Sequence, residues 1–128
     1  MNPVFLTLGE ILEIHQDQIN RYGSAAGIRD IGLLQSAIAM PSASFGRQFL
    51  HSDLFEMAAA YLFHISQNHP FVDGNKRTGA VAAIVFLALN GIDLAADEEE
   101  LEKLVLKVAE GKAGKETVAT FLRDNTIS

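Results

Sequence analysis

Nine consecutive residues near the middle of the chain, HPFVDGNKR from His69 to Arg77, carry most of the side chains suited to chemistry. Histidine is the most frequent general base in enzymes, because its imidazole titrates near neutral pH. Asp73 supplies a carboxylate of the kind that holds Mg²⁺ beside nucleotide phosphates. Lys76 and Arg77 add two positive charges. A base, a metal ligand and two cations suit phosphoryl-type transfer, in which positioning and charge neutralisation supply most of the catalysis.

The two cations stand where a helix ordinarily carries acidic residues. The apolar run from Gly79 to Leu89 predicts a helix buried on all sides, from about Asn75 to Asn90, and the N-terminus of a helix has a partial positive charge. Its first N–H groups have no partner within the helix. Gly74, just ahead of them, lets a ligand approach the backbone closely. Together with Lys76 and Arg77, this helix start therefore predicts an anion site for a polyphosphate.

Each of these residues also has a purely structural interpretation. Lys76 and Arg77 could reach solvent or pair with surface carboxylates. His69 follows a predicted helix, where a histidine interacts favourably with the helix dipole. Asp73 belongs to a residue type that is common in turns, and Phe71 is expected to anchor the loop in the core. A purely structural interpretation nevertheless explains poorly why a base, a possible metal ligand and a phosphate site occur together within nine residues.

Composition narrows the classes of protein to which the chain can belong. Its 128 residues are 48% hydrophobic and 20% charged, which predicts one compact globular domain over residues 1–128. The absence of cysteine excludes disulfides and thiolate metal sites. Acidic residues outnumber basic ones 16 to 10, so we expect no direct binding of nucleic acid. No apolar run approaches the ~20 residues that span a bilayer and no signal peptide is evident, so we expect a cytoplasmic protein that binds no membrane.

Apolar residues recur at helical spacing and predict an all-α fold of about six helices around the central helix. Thr7 and Glu10 match a capping box at the start of the first helix. Gly91 is expected to end the central helix in a left-handed conformation. The predicted helices run from Thr7 to Tyr22, from Asp30 to Met40, from Ser52 or Asp53 to Asn68, from Asn75 to Asn90, from Asp97 to about residue 110, and from Glu116 to Arg123.

The segment HPFVDGNKR resembles the signature of the Fic/Doc family, usually written H-P-F-x-[DE]-G-N-G-R. Lys76 stands where most Fic enzymes have glycine, which makes the segment similar to the Doc (death on curing) branch, with H-x-F-x-D-A-N-K-R. Gly74 is the Fic choice at a position where Doc has alanine. The segment from residue 15 to residue 38 is also similar to Doc-like proteins, so the resemblance extends over nearly the whole chain.

The resemblance implies a role for each polar residue of the segment. His69 would deprotonate a hydroxyl group of a target protein, and Asp73 would hold Mg²⁺. The loop backbone, with Asn75 and Arg77, would bind the phosphates of ATP. Most Fic-type enzymes transfer AMP to a protein, whereas Doc transfers the γ-phosphate to a threonine of elongation factor Tu and binds ATP in the reversed orientation. Lys76 goes with the Doc chemistry and favours a protein kinase; an AMP transferase and a catalytically idle binding protein are the alternatives.

The resemblance also implies a protein partner. Doc-like toxins pair with a small antitoxin, a segment of which folds as a helix into an apolar groove of the toxin. The inhibitory motif [ST]-x-x-x-E-[GN] of some Fic proteins does not occur in these 128 residues, so inhibition would have to come from another chain. Phe45, Phe49 and Leu50, in the connection before the third helix, could line the antitoxin surface or belong to the core.

Overall fold

The computed structural model describes residues 2–127, and within this range it confirms the all-α prediction. Every predicted helix is present, with ends that agree to within two residues. The helices are α1 (Leu8–Tyr22), α2 (Ile31–Ala39), α3 (Leu54–Asn68), α4 (Asn75–Leu89), α5 (Glu98–Ala109) and α6 (Lys115–Asp124), and two strands, β1 (Ser44–Phe45) and β2 (Gln48–Phe49), pair between α2 and α3.

The hairpin of β1 and β2 replaces the irregular connection that the sequence predicts. Each strand has two residues, too few to show an alternating apolar pattern. Gly46 and Arg47 form the turn, and both have positive φ, at 58° and 69°. Turns of that kind match the twist of a hairpin. Their usual sequence is Asn-Gly or Asp-Gly, so Gly46-Arg47 is only a weak sequence signal for a hairpin.

Local hydrogen bonds explain why the helices begin where they do. At α1, Thr7 Oγ1 accepts from the Glu10 N–H at 3.2 Å while Glu10 Oε1 accepts from the Thr7 N–H at 2.9 Å, which completes the predicted capping box. Asp30 and Asp53 accept from backbone N–H groups in the first turns of α2 and α3. Gly91 has φ of 84° just beyond α4, the left-handed conformation predicted for it.

Helix α3 lies at the centre of the core and packs against α2, α4, α5 and α6. Its side chains from Met57 to Leu62 are all buried, and Phe86 and Leu87 of α4 meet them. The burial of α4 is less complete than its apolar sequence predicts, because Ala80, Val81 and Ile84 on one side of the helix line a groove. Among residues 2–127, no helix combines the length and apolarity needed to cross a membrane.

An open groove of about 540 Å³ lies on that side, between α1, α4 and α5. Its walls are mainly apolar, and Lys76 and Arg77 stand at one end of it. We call it the α4–α5 groove; Val81 and Ile84 of α4 and Leu101 and Leu106 of α5 contribute apolar walls to it. Leu106 lines the groove and is 49% exposed.

Two histidines share one lysine where α6 meets α3. The Nζ atom of Lys115 lies 3.2 Å from Nε2 of His51 and 3.2 Å from Nε2 of His64. Burial and the charge of Lys115 lower the pKa of His51, and they lower the pKa of His64 to about 4. A neutral imidazole accepts a hydrogen bond from an ammonium group, so this cluster joins α3 to α6 while both histidines are unprotonated.

Acid is therefore expected to destabilise the fold through this cluster. The unfolded chain protonates His64 near its ordinary pKa of 6.5 and the folded chain only near 4, so this contribution is complete above pH 6.5 and is lost as the pH falls. For His64 we expect a loss of about 1–2 kcal/mol in the free energy of unfolding between pH 7 and pH 4.5, allowing for solvent around the partly exposed ring. Urea unfolding at both pH values measures it. His64→Gln should show a smaller pH dependence, and an unchanged one would contradict this assignment.

Candidate active site

The loop from His69 to Gly74 reverses the chain between α3 and α4 and begins and ends with a left-handed residue. His69 closes α3 with φ of 47° and ψ of 53°, and Gly74 precedes α4 with φ of 76° and ψ of 16°. Positive φ is easy for glycine but strained for histidine. A strained, non-glycine residue in a loop is a feature that clusters at functional sites.

The start of α4 has free hydrogen-bond donors. Gly74 has no side chain, and no side chain within residues 2–127 caps this helix. The first bond back to the loop is made by Thr78, whose N–H donates to the Gly74 carbonyl at 2.9 Å. The N–H groups of residues 75–77 therefore remain available at the positive end of the helix, which is the arrangement that binds anions.

The residues that carry these donors line a cavity of about 260 Å³. The structure brings the predicted polar residues together around it: the cavity is lined by His69, Val72, Asp73, Gly74, Asn75, Lys76 and Arg77. Because Lys76 and Arg77 also line the α4–α5 groove, the cavity and the groove meet at this pair of cations.

Asp73 presents a carboxylate to the cavity. Its Oδ1 atom accepts from the Gly74 N–H at 2.8 Å, and no cationic side chain of the described chain forms an ion pair with it. Within residues 2–127, no group of three or more His, Asp or Glu side chains is arranged to hold a metal ion. A single carboxylate is a ligand with which Mg²⁺ binds beside substrate phosphates and water, so Mg²⁺ at Asp73 stays a prediction.

Arg77 is held over the end of α1. Its guanidinium carbon lies 4.4 Å from the centre of the Tyr22 ring, and its Nη1 atom donates to Ser24 Oγ at 3.2 Å. The aromatic face attracts the cation and fixes its position without neutralising its charge. No ion pair of the described chain involves Lys76 or Arg77, so both charges remain available to an anion.

Beneath the cavity, the loop is fastened to the core by two side chains. Asn75 is buried, and its amide group forms two hydrogen bonds with the backbone of Phe71, accepting from its N–H at 2.9 Å and donating to its carbonyl at 3.0 Å. The Phe71 side chain lies in the core, 1% exposed. Asn75 thus closes the loop, and its contact with phosphate stays a prediction.

His15 is a supporting residue whose contact with this loop no sequence pattern indicates. Its Nε2 atom lies 2.8 Å from the Asp73 carbonyl oxygen, and its ring stacks on Phe71 with 3.7 Å between ring centres and 6° between planes. His15 belongs to the buried side of α1, together with Ile11 and Ile19. That periodic stripe indicates that His15 is buried, but no sequence pattern predicts its partner, which lies 58 residues away along the chain.

Comparison with known proteins shows the family to which the chain belongs. The profile of the Fic/DOC family matches residues 5–87. The chain is similar to the protein kinase doc of Escherichia phage P1, with 35% identity over 114 residues and 89% of each chain covered. It is also similar to the toxin Doc of Mycolicibacterium smegmatis, with 39% identity over 103 residues and 79% of each chain covered. The chain belongs to the Fic/DOC family.

Proposed function

We propose that the chain is a Doc-like toxin of a toxin–antitoxin system, which transfers the γ-phosphate of ATP to a hydroxyl group of a target protein. A translation factor such as elongation factor Tu is the proposed target, and the proposed compartment is the cytoplasm. The observation that carries the proposal is the single cavity in which His69 and Asp73 meet the free N–H groups of residues 75–77. The names of two similar proteins, a protein kinase and a toxin, support it.

In the proposed reaction, His69 removes the proton of the target hydroxyl group. The hydroxyl oxygen forms a bond to the γ-phosphorus, the bond from that phosphorus to the β–γ bridging oxygen breaks, and ADP leaves with the bonding electrons. Lys76, Arg77 and the start of α4 bind the phosphates and offset their negative charge. Mg²⁺ held by Asp73 would neutralise further charge on the phosphates.

Lys76 favours the kinase over an AMP transferase. Its exposed side chain lines both the cavity and the α4–α5 groove. A lysine at this place occupies space that a glycine would leave open, so the orientation of ATP that suits a glycine-containing loop is not available. In the reversed orientation, which the resemblance to Doc implies, the phosphate nearest to His69 is the γ-phosphate rather than the α-phosphate.

Labelled ATP distinguishes the two reactions. The protein is incubated with Mg²⁺, bacterial lysate and ATP labelled at the α- or the γ-phosphate. We expect one protein band to gain the γ label only. The rate of labelling should be at least 100-fold lower with His69→Ala, because a general base contributes about 10²–10⁴ to the rate. His64→Gln, a histidine change away from the cavity, is the matched control and should keep the activity.

Each other result of this experiment has a defined meaning. Transfer of the α label would support AMP transfer. Transfer of the same group by the parent protein and Lys76→Gly would refute the proposed role of Lys76. Label from neither position would support a catalytically idle binding protein, above all if ATP also fails to raise the thermal stability.

We also propose that the α4–α5 groove binds the antitoxin as a helical segment. The groove runs along α4 from Lys76 to Ile84, about 12 Å at the rise of an α-helix, and its walls are apolar. An amphipathic helix buries its apolar side in such a groove. Lys76 and Arg77 at one end select an acidic residue on that helix, which would then cover the cations of the cavity.

A charge placed in the groove tests this partner. Leu106→Glu adds an acidic group to the apolar wall of the groove and should weaken binding of the cognate antitoxin at least 10-fold in calorimetric titration, since a desolvated, unpaired charge is costly. Phe45→Glu on the β1–β2 hairpin is the matched control, because Phe45 is 82% exposed outside the groove. Loss of binding by Phe45→Glu alone would assign the antitoxin to the hairpin surface.

A further inference from the structure

One arginine outside the motif is bonded to the backbone of His69. Arg29 Nε donates to the His69 carbonyl at 2.6 Å, and Arg29 Nη2 donates to the Asn68 carbonyl at 2.9 Å. The last carbonyl groups of an α-helix have no partner within the helix, and they form its negative end. The guanidinium of Arg29 satisfies two of them and brings a positive charge to that end of α3.

The backbone around Arg29 holds the next residues of the loop as well. The N–H groups of Arg29 and Asp30 both donate to the Pro70 carbonyl, at 2.7 Å and 3.0 Å. Val72 N–H donates to the Gly27 carbonyl at 3.0 Å, and Ile28 pairs with Phe71 as an isolated β-bridge. Residues 27–30 thus form a short brace alongside residues 68–72, and the Arg29 side chain extends it over His69.

This brace acts on the most strained residue of the loop. The left-handed backbone of His69 is unfavourable for a side chain with a Cβ atom, and such a conformation persists only where the surroundings impose it. A change of His69 to the helical or extended conformation would reorient its Cα–Cβ bond and move the imidazole away from the cavity. The hydrogen bond from Arg29 Nε to the His69 carbonyl opposes that change directly.

We infer that Arg29 is a positioning residue for the proposed reaction: it holds His69 in the left-handed conformation that directs its imidazole to the cavity. Arg29 is not among the residues that line the cavity, so we expect it to act on the reaction through His69 rather than by touching ATP. The fork of the guanidinium reaches two adjacent carbonyl groups at once, which a lysine cannot do with the same geometry.

The inference rests on the proposed function for its kinetic test. With Arg29→Ala, we expect kcat of the phosphoryl transfer to fall roughly 5- to 10-fold, because a smaller fraction of the molecules would hold His69 in the left-handed conformation. KM for ATP should stay within about twofold. Arg29→Lys keeps the charge and should recover part of the loss. Arg123→Ala is the matched control, since Arg123 also bonds to a partner, Asp53, but at the opposite end of α3.

A second readout is independent of any activity. The imidazole resonances of His69, identified by comparison with His69→Ala, are followed by NMR across pH 5 to 8. Arg29→Ala should shift these resonances, while the resonances of His51 and His64 stay unchanged and a circular dichroism spectrum shows the fold intact. If Arg29→Ala does not fold, the same resonances are measured in Arg29→Lys.

The two readouts separate the possible failures. Unchanged His69 resonances together with unchanged kcat would overturn the inference. An equal loss of kcat in Arg123→Ala would also overturn it, because the effect would then be one of general stability. If the parent protein transfers no phosphate, the proposed function fails, and the His69 resonances of Arg29→Ala and Arg29→Lys still decide whether Arg29 positions the imidazole.

Discussion

The start of α4 imposes the constraint on which the rest of this structure depends. This end of the helix is positive because of its dipole and its free N–H groups, and Lys76 and Arg77 add two further positive charges to it. No side chain of the described chain caps the helix. Two cations at this end cost the free protein a few tenths of a kcal/mol or more, by the usual size of dipole effects. A bound polyphosphate reverses the sign of every one of these terms, which is why we interpret the arrangement as a ligand site.

The neighbouring elements keep this unfavourable arrangement in place. α1 contributes Tyr22 beneath Arg77 and His15 beneath the loop, so that one helix supports both the cation and the backbone of Asp73. The brace of residues 27–30 fixes the other end of the loop at His69. Strain at a functional site persists when the surrounding structure imposes it, and here α1, the brace and the core beneath Phe71 together impose it.

Sequence patterns predicted the parts of the fold that depend on local physics. Periodic apolar residues and the Thr7 capping box fixed the helices to within two residues, and the conflict at Lys76 and Arg77 pointed to the cavity. The hairpin was not predictable, because Gly46-Arg47 is a weak turn signal. The contacts of His15 and Arg29 with the loop were not predictable either, because their partners lie 58 and 40 residues away along the chain and meet them only on folding.

The most direct test of the central claim compares Lys76→Gln with the parent protein, by urea unfolding with and without Mg²⁺ and ATP. Without ATP, the variant should be as stable as the parent or slightly more stable, because one repulsive charge has gone. With ATP at about 100 times Kd, the parent should gain about 2.7 kcal/mol and the variant clearly less. A variant that is less stable without ATP, yet gains as much with it, would show that Lys76 serves the fold rather than the phosphates.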